Sequence, residues 1–355
     1  MEETSKSHEL DDYFTSAMAL TESGVPRVPT RYILPPSQRP MLSPSIATDT
    51  ISLPVIDLSL LHDPLLRPCV IHEIELACKG FGFFQIINHG VPSSVVNDAV
   101  DAATRFFDLS ADEKMHLVSN NFHDPVRYGT SINHSTDKVY YWRDFIKHYS
   151  HPLSKWIDLW PSNPPCYKEK MGKYAEATHV LHKQAIEAIS ESLGLEKTYL
   201  QEEIEEGSQV MAVNCYPVCP EPEMALGMPP HSDFGSLTIL LQSGQGLEMM
   251  DSNKKWVSVP YIEGALIVLL GDQIEVMSNG IYKSMIHRVT VNKDFKRLSF
   301  ASLHSLPMQK KISPAPQLVN EDRPAAYGEF SFNDFLDFVS SNDITQQRFI
   351  DTLKK

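Results

Sequence analysis

The stretch Met228-Pro-Pro-His-Ser-Asp-Phe-Gly-Ser-Leu-Thr-Ile-Leu-Leu-Gln-Ser-Gly-Gln-Gly-Leu-Glu-Met-Met250 contains two short apolar runs, Leu237–Leu241 and Leu247–Met250, parted by a glycine-bearing turn. Short runs bounded by turn residues read as strands. The same cadence extends outward on both sides. Val210–Tyr216 lies upstream; Trp256–Val259, Ala265–Leu270, Ser284–Val291 and Arg297–Leu303 lie downstream. Gly, Pro, Asn and Asp separate these runs at intervals of roughly ten residues, the spacing of an all-β barrel or double-sheet jelly roll.

Before Gly207 the pattern is different. Helical periodicity covers residues 66–79, 93–107 and 165–193, with a shorter helix near 197–206, and Ser110-Ala-Asp-Glu has the form of a capping box. Ile51–Asp57, Phe81–Asn88 and Trp142–Tyr149 read as strands. The expected fold is mixed α+β: a double-stranded β-helix (jelly-roll) core with flanking helices. The expected organisation is an extended Pro-rich arm at 1–50, a helical and β support region at 51–205, the jelly-roll core at 206–310, and a helical tail at 311–355 that packs over the pocket.

Composition limits the function. The chain has 355 residues, a net charge of −14 and 42% hydrophobic residues. That allows a large core and offers no basic excess for nucleic acid or anionic membranes. The acidic, polar N-terminal stretch lacks the form of a secretory signal, and no run reaches membrane-span length. A cytoplasmic monomer is expected. The five cysteines are odd in number and scattered, so neither a disulfide framework nor a zinc site is predicted.

The chemistry lies in His231-Ser-Asp233. Side chains two apart in an extended segment share a side, so an imidazole and a carboxylate can bind one metal. His287 is the candidate third ligand. Two His and one carboxylate on one face leave coordination positions open, the arrangement of non-haem Fe(II) oxygenases. Arg297 and Ser299, also two apart, offer a guanidinium fork and a hydroxyl to a carboxylate. They are read as the anchor of a dicarboxylic co-substrate. His89, His304 and the remaining histidines are read as structural.

Taken together, these residues resemble the plant 2-oxoglutarate- and Fe(II)-dependent dioxygenases of the flavonol synthase and anthocyanidin synthase type. The resemblance runs from Leu53-Pro-Val-Ile-Asp57 to about Pro307. It includes Phe81–Pro92, Asn214-Cys-Tyr-Pro-Val-Cys-Pro220, Gly271-Asp272-Gln273, Ser278-Asn-Gly280, Tyr282-Lys-Ser284, His287-Arg-Val289 and Arg297-Leu-Ser299, in the family's order. Cys215 and Val218 replace the Tyr and Pro often found there. The resemblance implies that His231, Asp233 and His287 bind iron. It also implies that Arg297 and Ser299 hold the C5 carboxylate of 2-oxoglutarate, with Tyr216 and Asn214 beside it, that O2 is consumed, and that ascorbate supports activity.

The resemblance further implies hydroxylation of a plant specialised metabolite coupled to decarboxylation of 2-oxoglutarate to succinate. Desaturation or O-demethylation are the alternatives within the family, and a metal-binding jelly-roll ligand receptor without catalysis is the alternative outside it. A mere metal binder has no need of Arg297 and Ser299. The expected substrate is a small aromatic or polycyclic molecule, its pocket lined by Tyr128, Tyr141, Phe145, Lys147, Phe234, Leu303, Ser305, Phe332 and Phe335. Leu303 and Ser305 stand where related enzymes often carry an aromatic and an acidic residue.

Overall fold

The short runs after Gly207 form two sheets in a computed structural model that describes residues 15–40, 52–133, 137–342 and 347–355. In chain order the strands are β1 (Val55–Asp57), β2 (Phe83–Ile87), β3 (Val126–Thr130), β4 (Asp144–His151), β5 (Ser208–Tyr216), β6 (Met228–His231), β7 (Leu237–Gln242), β8 (Leu247–Met250), β9 (Trp256–Ser258), β10 (Leu266–Leu270), β11 (His287–Val289) and β12 (Arg297–Ser305). The larger sheet has the order β1-β2-β10-β7-β12-β5-β4-β3, and the smaller β6-β11-β8-β9. Val289 and Leu247 of the small sheet meet Leu240, Ile267 and Leu269 of the large one in a shared core.

The helices are α1 (Ala17–Glu22), α2 (Arg67–Gly80), α3 (Ser93–Phe107), α4 (Ala111–Met115), α5 (Leu153–Trp156), α6 (Tyr167–Ser192), α7 (Gln201–Glu205), α8 (Asp272–Met277) and α9 (Phe332–Ser341). α2 and α6 bury apolar residues against the outer face of the large sheet, and α3 packs on α6. The pleat therefore divides β12 between two environments. Arg297, Ser299, Ala301 and Leu303 face the space between the sheets, while Phe300 packs on Tyr174 of α6. Residues 15–40 lie on the body: the Ala17 amide donates to Asp144 Oδ1 at 2.8 Å, and that of Leu34 to the Met224 carbonyl at 2.9 Å.

Several expectations need correction. The run at Ser284–Val291 is a strand only at His287–Val289, because the Ser284 amide donates to the Glu275 carboxylate and not to a ladder. β6 is hidden in the sequence by Pro229 and Pro230, which donate no hydrogen bond. It survives as an edge strand paired only with β11. α8 is buried along its whole length, so it has no amphipathic period to read. The single helical pattern at 329–354 divides into α9 and a 3-10 turn at Phe349–Thr352, with residues 343–346 outside the described residues.

Candidate active site

β6 and β11 pair with His231 directly opposite His287. The chain leaves β6 at His231, so Asp233 is placed by the following loop and not by the pleat. That loop is clamped from below. The amides of Gly271, Asp272 and Gln273 donate to the carbonyls of Ser236, Asp233 and Gly235 at 2.9, 2.8 and 3.1 Å. The Gly-Asp-Gln element is thus the support of the His-x-Asp turn. His231 Nε2 and His287 Nε2 each lie 3.7 Å from Asp233 Oδ1. The other ring nitrogens are anchored: His231 Nδ1 on the Pro229 carbonyl at 2.8 Å and His287 Nδ1 on that of Met285 at 3.2 Å. Such anchoring fixes the tautomer that leaves Nε2 free as a ligand. Burial lowers the His231 pKa to about 4, and the neighbouring His287 adds to this, so the ring is neutral at physiological pH. Two imidazoles and a carboxylate are the donor set that suits Fe(II).

The clamp leaves no room for a methyl group. A Cβ at position 271 falls 1.9 Å from the Gly235 carbonyl oxygen, which is backbone and cannot step aside. Gly271→Ala is therefore expected to lose about 1–3 kcal/mol or more through overpacking and to weaken iron binding by displacing Asp233. Chemical denaturation and iron titration of the variant check both effects.

Next to the triad a cavity of about 110 Å³ lies between the sheets. Arg297, Ser299, Asn214, Tyr216 and Arg143 line it together with His231, Asp233 and His287. The register explains this grouping: on adjacent strands Arg297 pairs with Tyr216 and Ser299 with Asn214. Arg297 is 1% exposed. Its Nε donates to the Gly244 carbonyl at 3.0 Å and Nη2 to Gln242 Oε1 at 2.8 Å, while the buried Nη1 has no partner. Among the described residues its hydrogen-bond partners are a backbone carbonyl and an amide oxygen, not a carboxylate. An orphaned buried donor beside a cavity fits an incoming carboxylate. Asn214 links both ends of the group, accepting from Arg143 Nη1 at 2.6 Å and donating to Ser299 Oγ at 3.3 Å.

A second cavity, about 260 Å³, opens on the other side of the triad. Its walls include Lys147, Phe234, Leu303, Ser305, Phe332 and Phe335 as expected, with Tyr149, Phe338, Arg348 and Phe349 in addition. Phe234 stacks on Phe335 at 4.0 Å and on Phe332 at 5.0 Å between ring centroids. Arg348 crosses the floor, with Nε on Ser232 Oγ at 3.1 Å and Nη2 3.5 Å from Asp272. Burial raises the Asp272 pKa to about 7, offset in part by Arg348.

Three expected wall residues stand elsewhere. Tyr128 turns toward the helices and donates to Asp144 Oδ2 at 3.3 Å. Tyr141 packs with Leu34 and Leu226. The Phe145 ring carries the guanidinium groups of Arg143 at 4.9 Å and Arg127 at 5.4 Å, and it lines neither cavity. Arg143, Arg348 and Phe349 were not anticipated, because none belongs to a spaced motif.

Lys147 donates from Nζ to the Phe122 carbonyl at 2.9 Å. Burial, with repulsion from Arg127, lowers its pKa to about 7. Between that pH and the ordinary lysine value of about 10.4, the unfolded chain binds the extra proton, so Lys147 makes stability rise with pH across this window. Lys147→Met is expected to raise the melting temperature most below pH 7, with the gain shrinking as pH increases above it. Melts of both proteins at about pH 6 and about pH 9 test the sign.

Comparison with known proteins agrees with this geometry. Residues 207–305 match the 2OG-Fe(II) oxygenase superfamily, and residues 53–163 match the N-terminal region described as non-haem dioxygenase in morphine synthesis. The chain is 41% identical to Flavanone 3-dioxygenase 3 of Oryza sativa subsp. japonica, over 95% of this chain and 100% of that protein. It is 43% identical to 2-oxoglutarate-dependent dioxygenase 21, chloroplastic, of the same organism, over 95% and 96%. A crystal structure of JOX2 in complex with 2OG, Fe and JA superposes with a TM-score of 0.86 at 31% identity, covering 97% of this chain and 98% of that one. The chain belongs to the 2OG-Fe(II) oxygenase superfamily. Its activity is that of a 2-oxoglutarate-dependent dioxygenase, an oxidoreductase that uses Fe(II) and 2-oxoglutarate and acts on a small molecule. Among the described residues no helix is long and apolar enough to cross a membrane.

Proposed function

We propose that His231, Asp233 and His287 hold the Fe(II), and that Arg297 and Ser299 take the far carboxylate of 2-oxoglutarate with Asn214 and Tyr216 beside it. The substrate on this reading is a flat or polycyclic apolar plant metabolite, hydroxylated in the phenylalanine-lined cavity. The carrying observation is that Met228, His231, Asp233 and Leu303 line both cavities. A polar chamber and an aromatic chamber thus meet at one set of metal donors.

Bound there, Fe(II) would supply the activation of O2 that couples decarboxylation of 2-oxoglutarate, to succinate and CO2, to insertion of one oxygen atom into the substrate. The chain's own residues supply position and dryness. Arg297, held at Nε and Nη2, presents Nη1 to the acid and sets how far its keto-acid end reaches. Asn214 orients Ser299. Phe234, Phe332 and Phe335 stack on a planar substrate and keep water from the reacting carbon. The similarity to a flavanone 3-dioxygenase supports a flat aromatic substrate. The five unpaired cysteines support a reducing, cytoplasmic setting, and ascorbate is proposed as supporting reductant.

The test is a panel of flavonoids, phenolic acids, coumarins and terpenoids incubated with Fe(II), 2-oxoglutarate and ascorbate. Mass spectrometry then reads a gain of one oxygen, with stoichiometric succinate. Loss of two hydrogens selects desaturation, and loss of a methyl group selects demethylation. No turnover of any member, together with no metal binding, overturns the enzyme reading in favour of a ligand receptor.

A further inference from the structure

Behind the aromatic cavity, on the helix-facing side of β12, lies a second convergence of ligand side chains. His179 and His182 stand three apart on α6, hence on one face of it. His304 stands on β12 between Leu303 and Ser305, whose side chains point the opposite way into the substrate cavity. The rings of His182 and His304 stack at 4.1 Å, within 5° of parallel, and that of His179 lies 6.0 Å from His304 and 6.4 Å from His182. One ring nitrogen from each lies within 4.8 Å of the other two. We propose that these three histidines form a second metal site, for a zinc-like divalent cation, separate from the His231–Asp233–His287 centre.

Three observations carry the assignment. The first is unsatisfied valence: both nitrogens of His179 and Nδ1 of His182 are buried without a hydrogen-bond partner, although His182 is only 3% exposed. Buried polar atoms in folded proteins are paired as a rule. The second is anchoring. His182 Nε2 is bonded to Ser236 Oγ at 3.2 Å and His304 Nε2 to Ser302 Oγ at 2.9 Å. One nitrogen of each ring is thus held, and in His182 the other, Nδ1, is left as a donor, the same division found at the triad histidines. The third is donor chemistry. The cluster contains imidazoles and no carboxylate; Glu205 sits at the rim, paired with Lys183, and its backbone carbonyl is bonded to His151, whose ring stacks on His179 at 3.9 Å. An all-imidazole set suits Zn(II), Co(II), Ni(II) or Cu(II), and disfavours Mg(II) and Ca(II). Burial also lowers the pKa of His179 to about 4 and of His182 to about 3, so both rings are neutral near pH 7 with their lone pairs available. Zn–N bonds of about 2.0–2.1 Å require the nitrogens to draw together and the stacked rings to turn apart. Binding should therefore tighten α6 onto β12.

Cobalt is the probe, because its visible absorption separates low-coordinate nitrogen sites from the open, six-coordinate kind. The full chain is stripped with chelator, desalted and titrated with Co(II), and bound metal is counted by mass spectrometry. Wild type should bind two equivalents. Asp233→Ala/His287→Ala should keep one, with intense visible bands and a higher melting temperature that is lost on chelation. Adding His182→Gln to that background should remove both signals. His179→Gln, at the less buried ligand, should do the same with an unchanged far-UV spectrum, which guards against misfolding of the His182 variant. If the triad-less protein binds no cobalt, or binds it unaltered by either glutamine substitution, the second site does not exist.

Discussion

Asp233→Ala is expected to purify without iron and to release no succinate above background, while keeping its fold. On the proposed assignment Asp233 is the only anionic donor among the three, and its Oδ1 stands 3.7 Å from each imidazole. The two remaining histidines still face one another with ring centroids 4.2 Å apart, but without the carboxylate they should hold a divalent ion weakly. The loss should exceed the roughly 10–100-fold typical of removing an outer partner of a metal ligand. The fold should persist because the clamp on this loop is built from backbone. The Asp233 carbonyl receives the Asp272 amide whatever side chain stands at 233. Iron content by mass spectrometry, succinate release and a thermal melt test the three parts. Substantial iron in the purified variant would refute the assignment.

Arg297→Ala should behave in the opposite way, retaining iron and losing the co-substrate. Its guanidinium lines the polar cavity and is bonded to Gly244 and Gln242 rather than to the three proposed metal donors. Truncating one side of a buried charged pair costs about 2–5 kcal/mol, or roughly 30- to 5000-fold in the 2-oxoglutarate requirement. Arg297→Lys should recover only part of this, since an ammonium keeps the charge but not the fork. The readout is KM for 2-oxoglutarate beside iron stoichiometry. Equal iron loss in the Arg297 and Asp233 variants would show that the two cavities do not divide the labour as proposed.

How much of this was legible in the sequence follows from which features are local. Arg297 and Ser299 were readable because strand pleat is a local rule, and both do face the cavity. The same rule placed Asp233 beside His231 for the wrong reason, since β6 stops at His231 and a backbone clamp finishes the job. Phe234, Phe332 and Phe335 were legible as an aromatic wall. Tyr128, Tyr141 and Phe145 look identical in sequence yet pack elsewhere, because Asp144, Leu34 and two arginines claim them. Arg143 and Arg348 reach the cavities from distant parts of the chain. His179, His182 and His304, read one at a time, are ordinary structural histidines; only the packing of α6 on β12 brings them together.

The aromatic chamber is assembled from two separate parts of the chain. One wall comes from β6, the loop after it and β12, which also bear His231, Asp233, Arg297 and Ser299; the other, with Phe332, Phe335 and Phe349, comes from the tail that follows the barrel. Substitutions in the tail should therefore change which molecule fits the chamber while leaving His231, Asp233, Arg297 and Ser299 in place.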